Sequence, residues 1–173
     1  EQFYKATWTN EQQEMSFYYL AVLACRKGDY EAALDFAKKG LIKNAHNIKA
    51  RGLKAVILRK LGRMEDAKKW VEKNLGLDAF DYVSFYEQVK LAEFMESAKA
   101  PDGWLNREKA ETLKAQMNLR MRNFYESYLQ AARDYGEAGF YEEAVEILSC
   151  CTKEQPMLFY YKGYYLSGLG RKA

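Results

Sequence analysis

The sequence predicts an all-α protein built by stacking antiparallel helix pairs, and three observations predict it. The hexapeptide Gly28-Asp29-Tyr30-Glu31-Ala32-Ala33 recurs 34 residues later as Gly62-Arg63-Met64-Glu65-Asp66-Ala67, and again as Gly139-Phe140-Tyr141-Glu142-Glu143-Ala144. Overlaid at that interval, segments 14–47 and 48–81 also match Ala21 to Ala55, Val22 to Val56, Lys39 to Lys73, Leu41 to Leu75 and Ala45 to Ala79. The chain has only two prolines and no alternating strand pattern. A fixed period of this length marks a repeat architecture, in which each unit buries its apolar face against the next.

Each element follows from residue spacing. In 14–27, Phe17, Leu20, Ala21 and Ala24 fall at i, i+3, i+4 and i+7, the apolar stripe of an amphipathic helix. Gly28 ends that helix, because a residue able to take positive φ closes a helix without steric cost. The period restarts over 30–43 with Tyr30, Ala33, Leu34, Ala37 and Leu41, and small Ala21 and Ala33 let the two helices approach closely. Further on, a helix over about 81–98 is expected, then the breaker-dense stretch 99–106. Asn106 can cap a following helix beginning Arg107-Glu108 and running to about 122 on Ala110, Leu113, Met117 and Met121.

This pattern resembles the tetratricopeptide repeat, a 34-residue helix pair with a small residue in its first helix, a turn glycine, and small residues in its second. Those places are held by Ala21, Gly28, Ala33 and Gly40, then by Ala55, Gly62, Ala67 and Asn74, then by Ala132, Gly139, Ala144 and Cys151. The proline that often follows the second helix is Ala45, Ala79 and Pro156. Lys54 on the usual core face, Asn74 at a small-residue place and the missing prolines depart from the pattern. The resemblance implies an α-α superhelix, a solenoid forming one array over 1–173. Its parts are the end of a preceding repeat (1–13), repeats at 14–47 and 48–81, an enlarged irregular repeat (82–124), a repeat at 125–155, and a truncated one (156–173). Phe3 and Ala6 fall one period before Ala37 and Gly40, so the first residues read as the tail of an earlier second helix. Both ends lie inside repeats, as expected of a piece of a longer protein. A junction between two short arrays is the alternative reading of the irregular middle.

Composition narrows function by exclusion. Lys+Arg 27 against Asp+Glu 24 gives a net charge of +3, too balanced for an electrostatic nucleic-acid footprint. No apolar run has the length that spans a bilayer and no signal peptide is visible, so a cytoplasmic location and no membrane partner are expected. Three cysteines without CxxC spacing argue against a disulfide framework and a zinc site; adjacent Cys150 and Cys151 read as small packing residues pointing different ways. The one histidine, His46, reads as a solvated loop residue, and no HExxH, GxSxG or phosphate-cradling glycine loop occurs. No catalytic, metal or cofactor residues are assigned, and no enzyme activity is expected.

Fourteen tyrosines in this length, clustered at Phe17-Tyr18-Tyr19 and Phe159-Tyr160-Tyr161, draw attention to interaction instead. The resemblance places the first helices along a concave groove, at Met15, Tyr18, Val22 and Cys25; Lys49, Gly52, Val56 and Arg59; Val83, Tyr86, Lys90 and Glu93; and Glu126, Leu129, Arg133 and Gly136. Tyr18, Lys49, Arg59, Tyr86, Lys90 and Arg133 are the expected groove residues, since Tyr and Arg anchor interfaces most often. The alternative is that the aromatics pack against neighbouring helices. The family's carboxylate clamp is not expected, because Tyr18, Val22, Leu53, Val83 and Glu87 stand at its Lys, Asn, Asn, Lys and Arg positions.

The expected function is a protein-interaction scaffold that binds a peptide segment or a neighbouring domain, a further domain of the parent chain included. Segments Tyr-Lys-Ala-Thr-Trp, Cys-Arg-Lys-Gly-Asp-Tyr and Lys49 to Arg63 also look like the helical region of large bacterial proteins that carry carbohydrate-enzyme β-sandwiches. An accessory domain of such an enzyme is therefore the alternative. Single-stranded RNA binding by a helical code is disfavoured by the period and the near-neutral charge.

Overall fold

The computed structural model describes residues 1–6, 12–97 and 104–170. Among them are ten helices and no strand: α1 (Gln2–Ala6), α2 (Gln13–Arg26), α3 (Tyr30–Lys43), α4 (Ile48–Lys60), α5 (Met64–Leu77), α6 (Tyr82–Ser97), α7 (Trp104–Met121), α8 (Tyr125–Glu137), α9 (Tyr141–Cys150) and α10 (Pro156–Gly168). The chain divides into two compact units, Glu1–Ser84 and Phe85–Ala173. The division falls within α6. Consecutive helices pack on one another in each unit, α1 through α5 in the first and α8 through α10 in the second.

Three identical turns make the hairpins. Gly28, Gly62 and Gly139 have φ of 77°, 73° and 85°, where an L side chain is strained. At each, the glycine N–H donates to the carbonyl three residues back (Cys25, Arg59, Gly136), and the next N–H donates to the carbonyl five back (Ala24, Leu58, Tyr135). This double bond pattern satisfies carbonyls that a helix end leaves open. Gly170, at φ 69°, likewise donates to the Ser167 carbonyl just after α10, at a spacing from Gly139 short of a period. Asp29 and Asn47 then cap α3 and α4, accepting from Ala32 N–H at 3.0 Å and Ala50 N–H at 2.9 Å. Each such cap is worth about 1 kcal/mol.

The first unit's core is organised by small residues. Ala21, Ala33, Ala55 and Ala67 are all 0% exposed, as are Ala132 and Ala144 in the second unit. Leu34, Ala37, Val56, Ile57 and Val71 fill the space around the first four. Replacing Ala33 with Phe should overpack the α2–α3 contact and cost roughly 1–3 kcal/mol, seen as a lower urea midpoint. An unchanged midpoint would place Ala33 away from the helix crossing.

Asn74, the odd member of the small-residue set, has a purpose in the structure. Its Nδ2 donates to Ser84 Oγ at 2.8 Å, and Ser84 Oγ donates to Asp81 Oδ2 at 2.5 Å. Asp81 Oδ1 also caps the start of α6 by accepting Ser84 N–H at 3.0 Å. Burial raises the Asp81 pKa, with the Ser84 hydrogen bonds working against it.

One local expectation needs correction. The helix expected to begin after Asn106 is already running at Trp104, and residues 99–103 of the breaker-dense stretch lie outside the described residues. The α7–α8 turn uses no glycine: Arg122 and Asn123 both adopt φ 51°. Asn123 is held there because its side chain accepts from Thr152 N–H at 3.1 Å and donates to Thr152 Oγ1 at 2.7 Å.

Candidate functional site

In the first unit, the first helices are buried on more than one side, because each packs on its own partner and on its neighbours. Tyr18, Val22 and Cys25 of α2 are therefore core residues, and Tyr18 is 3% exposed. Gly52 is buried too; a Cβ there would lie 2.9 Å from Val83 Cγ1. Of the residues expected in the groove here, Lys49 is exposed and Arg59 half-buried. Burial pushes the Cys25 thiol up to about 12, so it stays protonated at neutral pH.

In the second unit, α6 carries Tyr86, Glu87, Lys90 and Glu93. Tyr86 is 1% exposed, its ring edge-on to Tyr135 at 5.9 Å, and Tyr135 Oη donates to the buried Glu87 carboxylate at 2.7 Å. Tyr86 Oη donates to Glu146 of α9, and Lys90 Nζ donates to the same oxygen at 2.6 Å. Lys90 also reaches Glu93 at 3.1 Å, and Lys114 of α7 reaches Glu93 at 2.8 Å and Glu111 at 3.5 Å. Two ammonium groups thus serve three carboxylates. Burial lowers the Lys90 pKa, but the Glu146 bond and charge and the Glu93 charge outweigh it and leave it raised. Burial likewise raises the Glu93 pKa, yet Lys114 and Lys90 hold it lowered. Burial drives the Tyr86 phenol pKa up, helped by Glu146, so it remains a donor.

Tyr86 and Lys90 are thus brought together, but as parts of a network rather than as open contact area. The cation expected at Lys90 is already neutralised by Glu146, which comes from a distant helix and leaves no trace in the local sequence. Arg133 of α8 is exposed. Gly136, also assigned to the groove, is covered by Tyr165 of α10, whose Cζ and Oη lie 2.6 Å from where a Cβ would stand.

A second constellation, missed in the groove assignment, surrounds Trp70 on α5. Lys54 Nζ sits 3.4 Å from the indole centroid, Arg51 Cζ 4.7 Å and Lys73 Nζ 5.6 Å. Trp70 Nε1 donates to the Arg51 carbonyl at 3.0 Å, fixing the ring on α4. Arg51 is 5% exposed; Nη1 donates to the Ala45 carbonyl at 2.8 Å, while Nη2 is buried with no hydrogen-bond partner. The Lys54 ammonium is held at a pKa of about 8, first by burial, then by the charges of Lys38, Arg51 and Lys73, against the opposing pull of Asp66. The available signal was Lys54 itself, a charge where the repeat pattern calls for a core residue.

Solved structures resemble this chain at the level of fold. TTC0263, a thermophilic TPR protein from Thermus thermophilus, matches with a TM-score of 0.60 and 18% identity over 91% of this chain and 84% of that one. MamA matches with a TM-score of 0.51 and 16% identity over 91% and 82%, and an RS-1 MamA ArsTM double mutant with 0.53 and 15% over 89% and 83%. No protein-family profile and no curated protein matches the sequence. The chain therefore has the tetratricopeptide-repeat fold, an all-α solenoid of antiparallel helix pairs. Among the described residues, no helix is long and apolar enough to cross a membrane.

Proposed function

We propose that this chain is a protein-interaction scaffold and that its first helices bind a peptide segment or a neighbouring domain. The observation that carries this reading is the tetratricopeptide-repeat fold, matched over nine-tenths of the chain. A stacked helical array offers an extended surface that suits such a partner. On this reading 1–173 is one array with the repeat bounds given above. Lys49 and Arg59 on the first unit and Arg133 on the second supply surface cations for a partner rich in carboxylates or other acceptors. Lys90 contributes only where a ligand group displaces Glu146, with Tyr86 beside it in the core, while Tyr18 serves the packing of α2.

Affinity capture with the wild type and with an Arg59→Glu, Lys90→Glu, Arg133→Glu variant tests this. Partners lost from the folded variant are the expected result. Partners held equally by both would place binding elsewhere.

A further inference from the structure

We propose that the Trp70 cluster of the first unit is a second binding site, which seats an acidic peptide segment by its side-chain carboxylates. Three cationic side chains converge there from two helices, Arg51 and Lys54 on α4 and Lys73 on α5, and the charge of Lys38 on α3 also acts on Lys54. Two ammonium groups and one guanidinium lie within 5.6 Å of a single indole centroid. Among the described residues, none of Lys38, Lys54 and Lys73 forms an ion pair. Stability alone does not account for such a grouping, because like charges this close repel, and an indole face offsets only part of that repulsion.

The missing charge is therefore negative. Asp66 opposes the three neighbouring cations at Lys54, with a smaller pull than theirs, and Asp81 acts in the same sense on Arg51. Arg51 adds a buried Nη2 with a hydrogen-bond donor to spare. The cations are spread over side chains of α3, α4 and α5, with no cradle of backbone N–H groups of the kind that grips a phosphate. Distributed ammonium groups beside a flat aromatic suit carboxylates strung along a chain, whose stems can lie on the indole. At 100° per residue, Arg51 and Lys54 stand roughly opposite Lys49, Gly52, Val56 and Arg59 around α4, so this site is separate from the surface proposed above.

The test uses the whole chain and a fluorescein-labelled hexaglutamate peptide, followed by anisotropy at low salt. A Lys54→Met, Lys73→Met variant, which keeps the aliphatic stems on Trp70, should bind about tenfold more weakly. A Lys109→Met, Lys153→Met variant, which removes two exposed cations that neither surface uses, should bind within about twofold of wild type. The wild-type indole N–H resonance of Trp70, assigned by its absence in Trp70→Phe, should shift on adding the peptide. That measurement stands even if the lysine variant fails to fold. Inorganic phosphate at matched ionic strength should leave the peptide bound. Equal loss in both variants, a still Trp70 resonance, or displacement by phosphate would each overturn the assignment of a peptide site.

Discussion

Gly136→Val should lower the stability of the second unit by roughly 3 kcal/mol, the upper end of what overpacking costs. A Cβ at this position would stand 2.6 Å from Tyr165 Cζ and Oη and nearer still to Cε1, closer than side-chain carbons pack. The ring cannot swing away freely, because it is 3% exposed and stacked on Tyr141 at 5.7 Å. Helix propensity works the other way, since glycine inside a helix costs about 1 kcal/mol against alanine. The sign of the change therefore reads out the contact. In a Tyr165→Ala background the same substitution should cost much less, as a double-mutant cycle on urea midpoints would show. Equal costs in both backgrounds would remove Tyr165 from the explanation.

Glu87→Ala should cost about 3 kcal/mol, whereas Glu87→Gln should cost under about 1 kcal/mol. Glu87 is 0% exposed and accepts the Tyr135 hydroxyl at 2.7 Å, in a core shared with Tyr86, Tyr128 and Met117. Truncation removes the acceptor of the Tyr135 hydroxyl and leaves a void of several heavy atoms, two penalties that add. Glutamine keeps both the shape and an acceptor oxygen. Thermal or urea unfolding of the two variants separates these cases, and similar midpoints would mean that the hydrogen bond contributes little.

The helix pairs were legible because their signals are local. Tyr30–Lys43 coincides with the expected 30–43, since glycine and an Asp cap bound it and Ala33, Leu34, Ala37 and Leu41 trace one stripe. The crossing alanines were legible for the same reason. The place of the α7–α8 turn was legible, but its left-handed backbone at Arg122 and Asn123 was not, because no glycine announces it and Asn123 is held by a partner 29 residues away. The fate of Tyr18 and Tyr86 was also hidden. Helical spacing shows which side of a helix is apolar, but not how many neighbours will cover the rest of it. Lys90 needed Glu146, and Lys54 needed Trp70; both pairings are made by tertiary packing of helices that are remote or only adjacent in sequence.

The glycine turns carry a consequence for sequence drift. Their bonds run from backbone to backbone, so what each turn's bonding requires is a residue that takes positive φ, the glycine. The residues after it differ freely, as Asp29, Arg63 and Phe140 already do within this chain. Selection on such a hairpin rests on one glycine and a few alanines, leaving the remaining positions open to change. The same fold can then be reached by sequences that share few residues, and this chain shares only 15–18% of its residues with the solved structures whose fold it has.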